Sequence, residues 1–129
     1  MVQANELRIG NYLTSLNGYL VRVVGISKEK VQVESNAFNN TLSAAFNYLA
    51  PVLLTPDILS QCGFVEIGTG ANPQTRELET IYEQEGFYLS VKDDMATFII
   101  GTLHLPAPSL HRLQNIFFDL TGKELGIRL

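Results

Sequence analysis

With a single cysteine, Cys62, the chain can form neither an intramolecular disulfide nor a multi-cysteine metal site. It has no run approaching the ~20 apolar residues that a membrane-spanning helix needs. The opening Met1-Val2-Gln3-Ala4-Asn5-Glu6 lacks the basic stretch and apolar run of a signal peptide. Positive charge is sparse: nine Lys and Arg stand against 13 Asp and Glu, for a formal charge of −4, and only Lys28 and Lys30 lie close together. Sequence-independent nucleic-acid affinity comes from clustered Lys and Arg, so a broad phosphate-contacting surface is disfavoured. Charged residues make up only 17% of the chain, but an apolar content of 46% is that of a folded protein rather than a disordered one. The expectation is a cytoplasmic protein of one domain, or of two subdomains sharing a core.

What is present reads as α+β. A strand starts near Ile9, and Asn17-Gly18, flanked by apolar residues, predicts a tight two-residue hairpin into a strand over 19–26. Residues 31–34 alternate as a half-buried strand does. Three short strands with tight turns indicate a small bent sheet, by analogy a barrel of the Src-homology-three kind. Residues 35–47, rich in Asn, Ser and Ala, read as a loop with a short strand near Thr41 and a helical turn near Ala45. Pro51 makes 49–54 an edge strand or a strand start. Thr55-Pro56-Asp57 opens a two-turn helix that Gly63 ends. A strand over 64–67, a loop over 68–75 and a meander of strands at 78–83, 87–91 and 96–100 follow. A short strand is expected at 103–105, then a Pro-Ala-Pro break, a helix over 109–121 and a tail over 124–129 that could pair as a strand. The expected division is a barrel-like part over 1–54 and an α+β part over 55–129, packed as one unit.

The C-terminal helix carries the most information. At ~100° per residue, Leu110, Leu113, Ile116, Phe117 and Leu120 share one arc that Phe118 extends, with Arg112, Asn115 and Asp119 opposite, facing solvent. Gln114 projects inside the apolar arc, and His111 stands at its margin. A buried amide without partners costs roughly 1–3 kcal/mol, so Gln114 must be hydrogen-bonded. It either ties the helix to strand-edge or loop backbone, or forms with His111 and Phe118 the floor of an interaction groove, or meets another subunit.

Elsewhere each polar residue has a structural reading. His104 and His111 lie across a proline break, and nothing makes them converge on a metal. Asp93-Asp94, with Glu83 and Glu85 across the meander, fits turn chemistry better than paired acid–base carboxylates. Gly68-Thr69-Gly70 lacks the Gly-Lys-Ser/Thr ending of a phosphate loop. Cys62, near a helix C-terminus, should pack with Ile58 and Leu59 rather than act as a nucleophile. No catalytic, metal or cofactor site is predicted. The aromatics Tyr12, Tyr19, Phe38, Phe46 and Tyr48 either fill a small core or line a peptide groove or base-stacking platform.

Three blocks carry a resemblance: Asn5 to Asn11, Pro51 to Phe64, and His111 to Leu125. Together they are similar to a small uncharacterised protein family encoded by Bacteroidetes genomes and by phages and mobile elements of that phylum. Members often read Val-His-Gln-Leu-Gln-Asn, then Tyr-Phe, where this chain has Leu110, Arg112 and Phe117. The resemblance implies a bacterial or prophage setting and brings no activity, ligand or cofactor. The expected function is a non-enzymatic interaction module with a protein partner. The alternative is a nucleic-acid accessory protein using the barrel aromatics, with a local patch at Arg22, Lys28 and Lys30.

Overall fold

The computed structural model describes residues 2–35, 38–71, 78–92, 95–100 and 103–128, the side chains at 38, 39 and 103 excepted. The fold is α+β; the described residues form two antiparallel five-stranded sheets, the first a curled half-barrel, and two α-helices. Two compact units are formed, one by Met1–Val52 with Ser109–Asn115 and the other by Leu53–Pro108 with Ile116–Leu129.

In the first unit a one-turn 3₁₀ helix, Ala4–Glu6, precedes strands β1 (Tyr12–Ser15), β2 (Leu20–Ile26), β3 (Lys30–Ser35), β4 (Phe38–Ala45) and β5 (Leu49–Ala50). Their order is β4-β3-β2-β1-β5. Alternation places Leu13, Val21, Val23, Val31 and Val33 on one face, where they are 0–3% exposed and form the core with Val2, Leu7 and Leu49. Each such burial contributes about 1.5–3 kcal/mol. Three expectations change here. Ile9 lies in a turn, so the first strand starts at Tyr12. The Asn17-Gly18 hairpin is wider than a two-residue turn: Gly18 N–H donates to Ser15 C=O (2.9 Å), Ser15 N–H donates to Tyr19 C=O (2.9 Å), and only Gly18 takes a positive φ. Finally, most of the predicted loop over 35–47 is the eight-residue strand β4, because pairing with β3 from Lys30↔Ala45 to Ser35↔Phe38 overrides weak local propensity. A second 3₁₀ turn, Phe46–Tyr48, links β4 to β5.

The second unit opens with α1 (Pro56–Gln61), for which Thr55 Oγ1 accepts from Ile58 N–H at 3.2 Å. It ends in a Schellman motif: Phe64 N–H donates to Leu59 C=O and Gly63 N–H to Ser60 C=O, both at 3.0 Å, with Gly63 at φ +88°. The sheet follows as β6 (Val65–Ala71), β7 (Leu78–Gln84), β8 (Phe87–Lys92), β9 (Met95–Ile100) and β10 (Leu103–Ala107), a meander in order β10-β9-β8-β7-β6. Tyr82, Leu89 and Phe98 form one buried row across it. Gly68, Thr69 and Gly70, expected in a loop, belong to β6 and pair with β7 beyond a bulge; residues 72–75 lie outside the described residues, as do Asp93 and Asp94. Pro106, expected to break the chain, sits within β10, an edge strand where a missing donor is tolerated. Helix α2 (Leu110–Thr121) follows. The tail forms no strand among the described residues; it is held by buried Leu125 and by Arg128 N–H donating to Gln61 C=O at 2.8 Å.

Gly63→Ala tests the helix stop. A Cβ in the left-handed conformation, 3.1 Å from the Gln84 side chain, should cost about 1–2 kcal/mol. The expected reading is a lower urea midpoint at unchanged m-value.

Candidate functional site

The polar residues of α2 meet the segment before β1. Arg8 to Asn11 form a turn in which Asn11 N–H donates to Arg8 C=O (3.1 Å) and Asn11 Oδ1 accepts from Arg8 N–H (2.6 Å). Gly10 takes φ +99°, the positive value a type II turn requires at its third position. This turn delivers the chain into β1, which pairs with β2 on one side and with β5 on the other. The β5 ladder stops after Thr14↔Ala50, just before Pro51, which has no N–H to continue it. Two positions further along, Tyr12 would oppose Val52. There α2 takes over: Val52 C=O accepts from Leu110 N–H at 2.9 Å, and Tyr12 N–H donates to Gln114 Oε1 at 2.9 Å. Gln114 Nε2 also donates to Gly10 C=O at 3.0 Å. The side-chain amide thus supplies one acceptor and one donor, as a peptide group of a neighbouring strand would.

The network extends sideways. Asn11 Nδ2 donates to Asn115 Oδ1 (2.9 Å) and, more weakly, to Gln114 Oε1 (3.4 Å). Asn115 Oδ1 also accepts from Arg8 Nη1 (3.0 Å), and Asn115 Nδ2 donates to Glu6 C=O (2.9 Å). The Glu6 carboxylate accepts from Gln3 N–H (2.7 Å) and pairs with Arg112 (3.3 Å). Asn115, expected to face solvent, is therefore half-buried and bonded on both sides of its amide. Arg112 and Asp119 are exposed as expected, while Ile116 is only half-buried and Leu120 is exposed. The buried arc of α2 is rotated toward Gln114 and His111, because the hydrogen-bond partners of the polar side chains lie there.

His111 and Gln114 are 1% and 2% exposed, and Phe118 is exposed at 36%. The Gln114 amide is used within the chain. His111 Nδ1 lies 3.2 Å from Ser109 Oγ, and Nε2, buried without a hydrogen-bond partner, lies 3.8 Å from Glu6 Oε2. That geometry favours the tautomer with the proton on Nε2, facing the carboxylate, and the Ser109 hydroxyl donating to Nδ1. Burial pushes the His111 pKa below its ordinary 6.5; Glu6 pulls it back and Arg112 adds to the lowering. Serine, histidine and carboxylate in line resemble a hydrolytic triad, but Ser109 is only 3% exposed and its oxygen has no open side for a substrate. Sequence reasoning did not find Glu6 or Ser109 as partners of His111. Glu6 is 105 positions away, and no local spacing signals it.

Comparison of the chain with protein-family models, with curated proteins and with solved structures found no match.

The other candidates resolve as follows. Cys62 is fully buried and its thiol is pushed up to about 12 by that burial, far from a reactive thiolate. Glu83 Oε1 accepts from Gly86 N–H at 2.9 Å, capping the β7–β8 turn. No group of three metal-ligating side chains occurs among the described residues, and no helix there is long and apolar enough to cross a membrane. Arg22, the first member of the basic patch, is paired with Glu34 (Nε to Oε1, 2.9 Å). Phe46 packs on the core of the first unit, Tyr12 is half-buried, and Phe38's side chain lies outside the described residues.

Tyr19 and Tyr48 behave differently. They are 52% and 55% exposed and line a groove of about 390 Å³ in the first unit, together with exposed Leu16 and Leu42. Its floor is Val21, Val33, Ala44 and Leu49, and none of its eleven lining residues is charged.

Gln114→Leu strands the Tyr12 N–H and the Gly10 C=O, so stability should fall by about 2–4 kcal/mol, whereas Asn115→Ala, at a half-buried position, should cost about 1 kcal/mol; chemical denaturation measures both. Because the folded His111 pKa is lowered, the unfolded chain binds the extra proton first as pH falls. Stability should therefore drop below about pH 6.5, and His111→Gln should flatten that part of a melting-temperature profile.

Proposed function

We propose that the chain is a non-enzymatic protein-interaction module of a bacterial or prophage system, working in the cytoplasm, and that its curled sheet is a Src-homology-three-like barrel. The barrel reading is supported by the strand order β4-β3-β2-β1-β5 and by the 3₁₀ turn that sends β5 back onto β1. The setting comes from the resemblance at residues 5–11, 51–64 and 111–125. The observation that carries the interaction reading is the groove, where four large apolar side chains are exposed around an apolar floor with no charge in the lining. Clustered exposed apolar surface rimmed by polar residues marks interaction sites. Chemistry is disfavoured because the alignment of Ser109, His111 and Glu6 is sealed, with Ser109 and His111 buried.

The nucleic-acid alternative rests on Tyr19 and Tyr48 as stacking platforms. It lacks the cations that backbone tracking requires, since the groove has none and Arg22 is neutralised by Glu34.

Tagged full-length protein and a Tyr19→Ser/Tyr48→Ser variant of equal melting temperature should be compared by capture from a bacterial lysate. The expected result is a protein bound by the first and lost from the second, with no shift of labelled single-stranded oligonucleotides at low salt. Equal capture by both, or salt-sensitive oligonucleotide binding, overturns the reading.

A further inference from the structure

We propose that the outer edge of β4, with the groove beside it, takes an extended, uncharged, apolar segment of a protein partner as an added strand; this rests on the protein-interaction reading above.

The sheet edges are not alike. Edge strands expose unpaired N–H and C=O groups and are templates for another strand unless blunted by shortness, proline, charge or bulges. β5 is two residues long, β10 contains Pro106, and β6 contains Glu66, a bulge and two glycines. β4 has eight residues with no charge, proline or glycine; its ladder with β3 shifts register between Leu42 and Phe38, so its regular stretch is Leu42–Ala45, and among the described residues no strand pairs with its outer side. At ~3.3 Å per residue that regular stretch offers ~13 Å of backbone beside the groove.

The same strand supplies Leu42, Ser43 and Ala44 to the groove, which Tyr48 also lines. A segment paired on β4 would point alternate side chains at Leu42, Tyr48 and Tyr19. A charged side chain there would lose water and find no partner, so the alternate residues must be apolar. A second copy of the chain is a poorer occupant. Eleven residues line the groove, whereas a stable dimer uses ~20–30 per side.

The test titrates the full isotope-labelled chain with a capped peptide of eight residues, the length of β4, alternating threonine and valine, up to roughly 1 mM. Control peptides replace the valines with lysine or place proline at the centre. The expected result is amide shifts and slowed hydrogen exchange at residues 40–45, 19 and 48. Both control peptides, and a Leu42→Lys chain of unchanged melting temperature, should bind at least tenfold more weakly. Response at 65–71 instead overturns the β4 assignment and leaves the interaction reading standing. No response to any peptide overturns the assignment. If labelled oligonucleotides alone shift the spectrum, both readings fall. Concentration-dependent shifts at 40–45 without peptide, with a dimer on sedimentation, give the edge to a second copy and overturn the proposal.

Discussion

The first unit depends on one side-chain amide standing in for a missing stretch of β-strand. β5 is two residues long and ends before Pro51, so among the described residues no strand pairs with the chain on that side from Gly10 to Tyr12. Buried backbone groups are almost always paired, and here the partner is Gln114, which accepts from Tyr12 and donates to Gly10. An apolar side chain at 114 would fit the helix pattern and fail this requirement. The amide also fixes the axial position of α2, because its two bonds, and the bond from Leu110 N–H to Val52 C=O, are made together only at one register.

This arrangement explains what the sequence could and could not disclose. Elements set by local chemistry were legible: α1 from Thr55-Pro56 and Gly63, the meander from its turn-separated strands, α2 from its apolar arc. Gln114 was legible as a misfit, since an amide inside an apolar arc demands partners. Their identity was not, because Gly10 and Tyr12 lie more than a hundred positions earlier. Asn115 was misread for a related reason. Its place opposite the apolar arc is where solvent is expected, and only the turn at 8–11 converts it into a bonded position. β4 was hidden by Asn-, Ser- and Ala-rich composition, which its ladder with β3 overrides.

Two segments far apart in the sequence, residues 5–11 and 111–125, acquire a shared physical reading. Glu6, Arg8, Gly10 and Asn11 in the first block bond to Arg112, Gln114 and Asn115 in the last. They are two halves of one hydrogen-bonded joint, so their side chains are explained by folding without any ligand. Recognition would then have to be sought where side chains are not committed to the fold, and fold alone would not say where that is.

Strand order narrows the choice. The three-residue turn at Phe46–Tyr48 carries the chain from β4, at one end of the sheet, to β5, at the other. The half-barrel therefore stays open between strands adjacent in sequence, and the groove is lined from both of them. The shortness of β5 leaves one gap at Gly10–Tyr12, which Gln114 fills from within the chain. Around the groove the described residues supply no equivalent filler: Leu16, Tyr19, Leu42 and Tyr48 remain exposed. Four large apolar side chains around one uncharged concavity are a standing cost in water. Burying them against a protein partner, as proposed, would recover it, whereas the buried histidine offers no such surface.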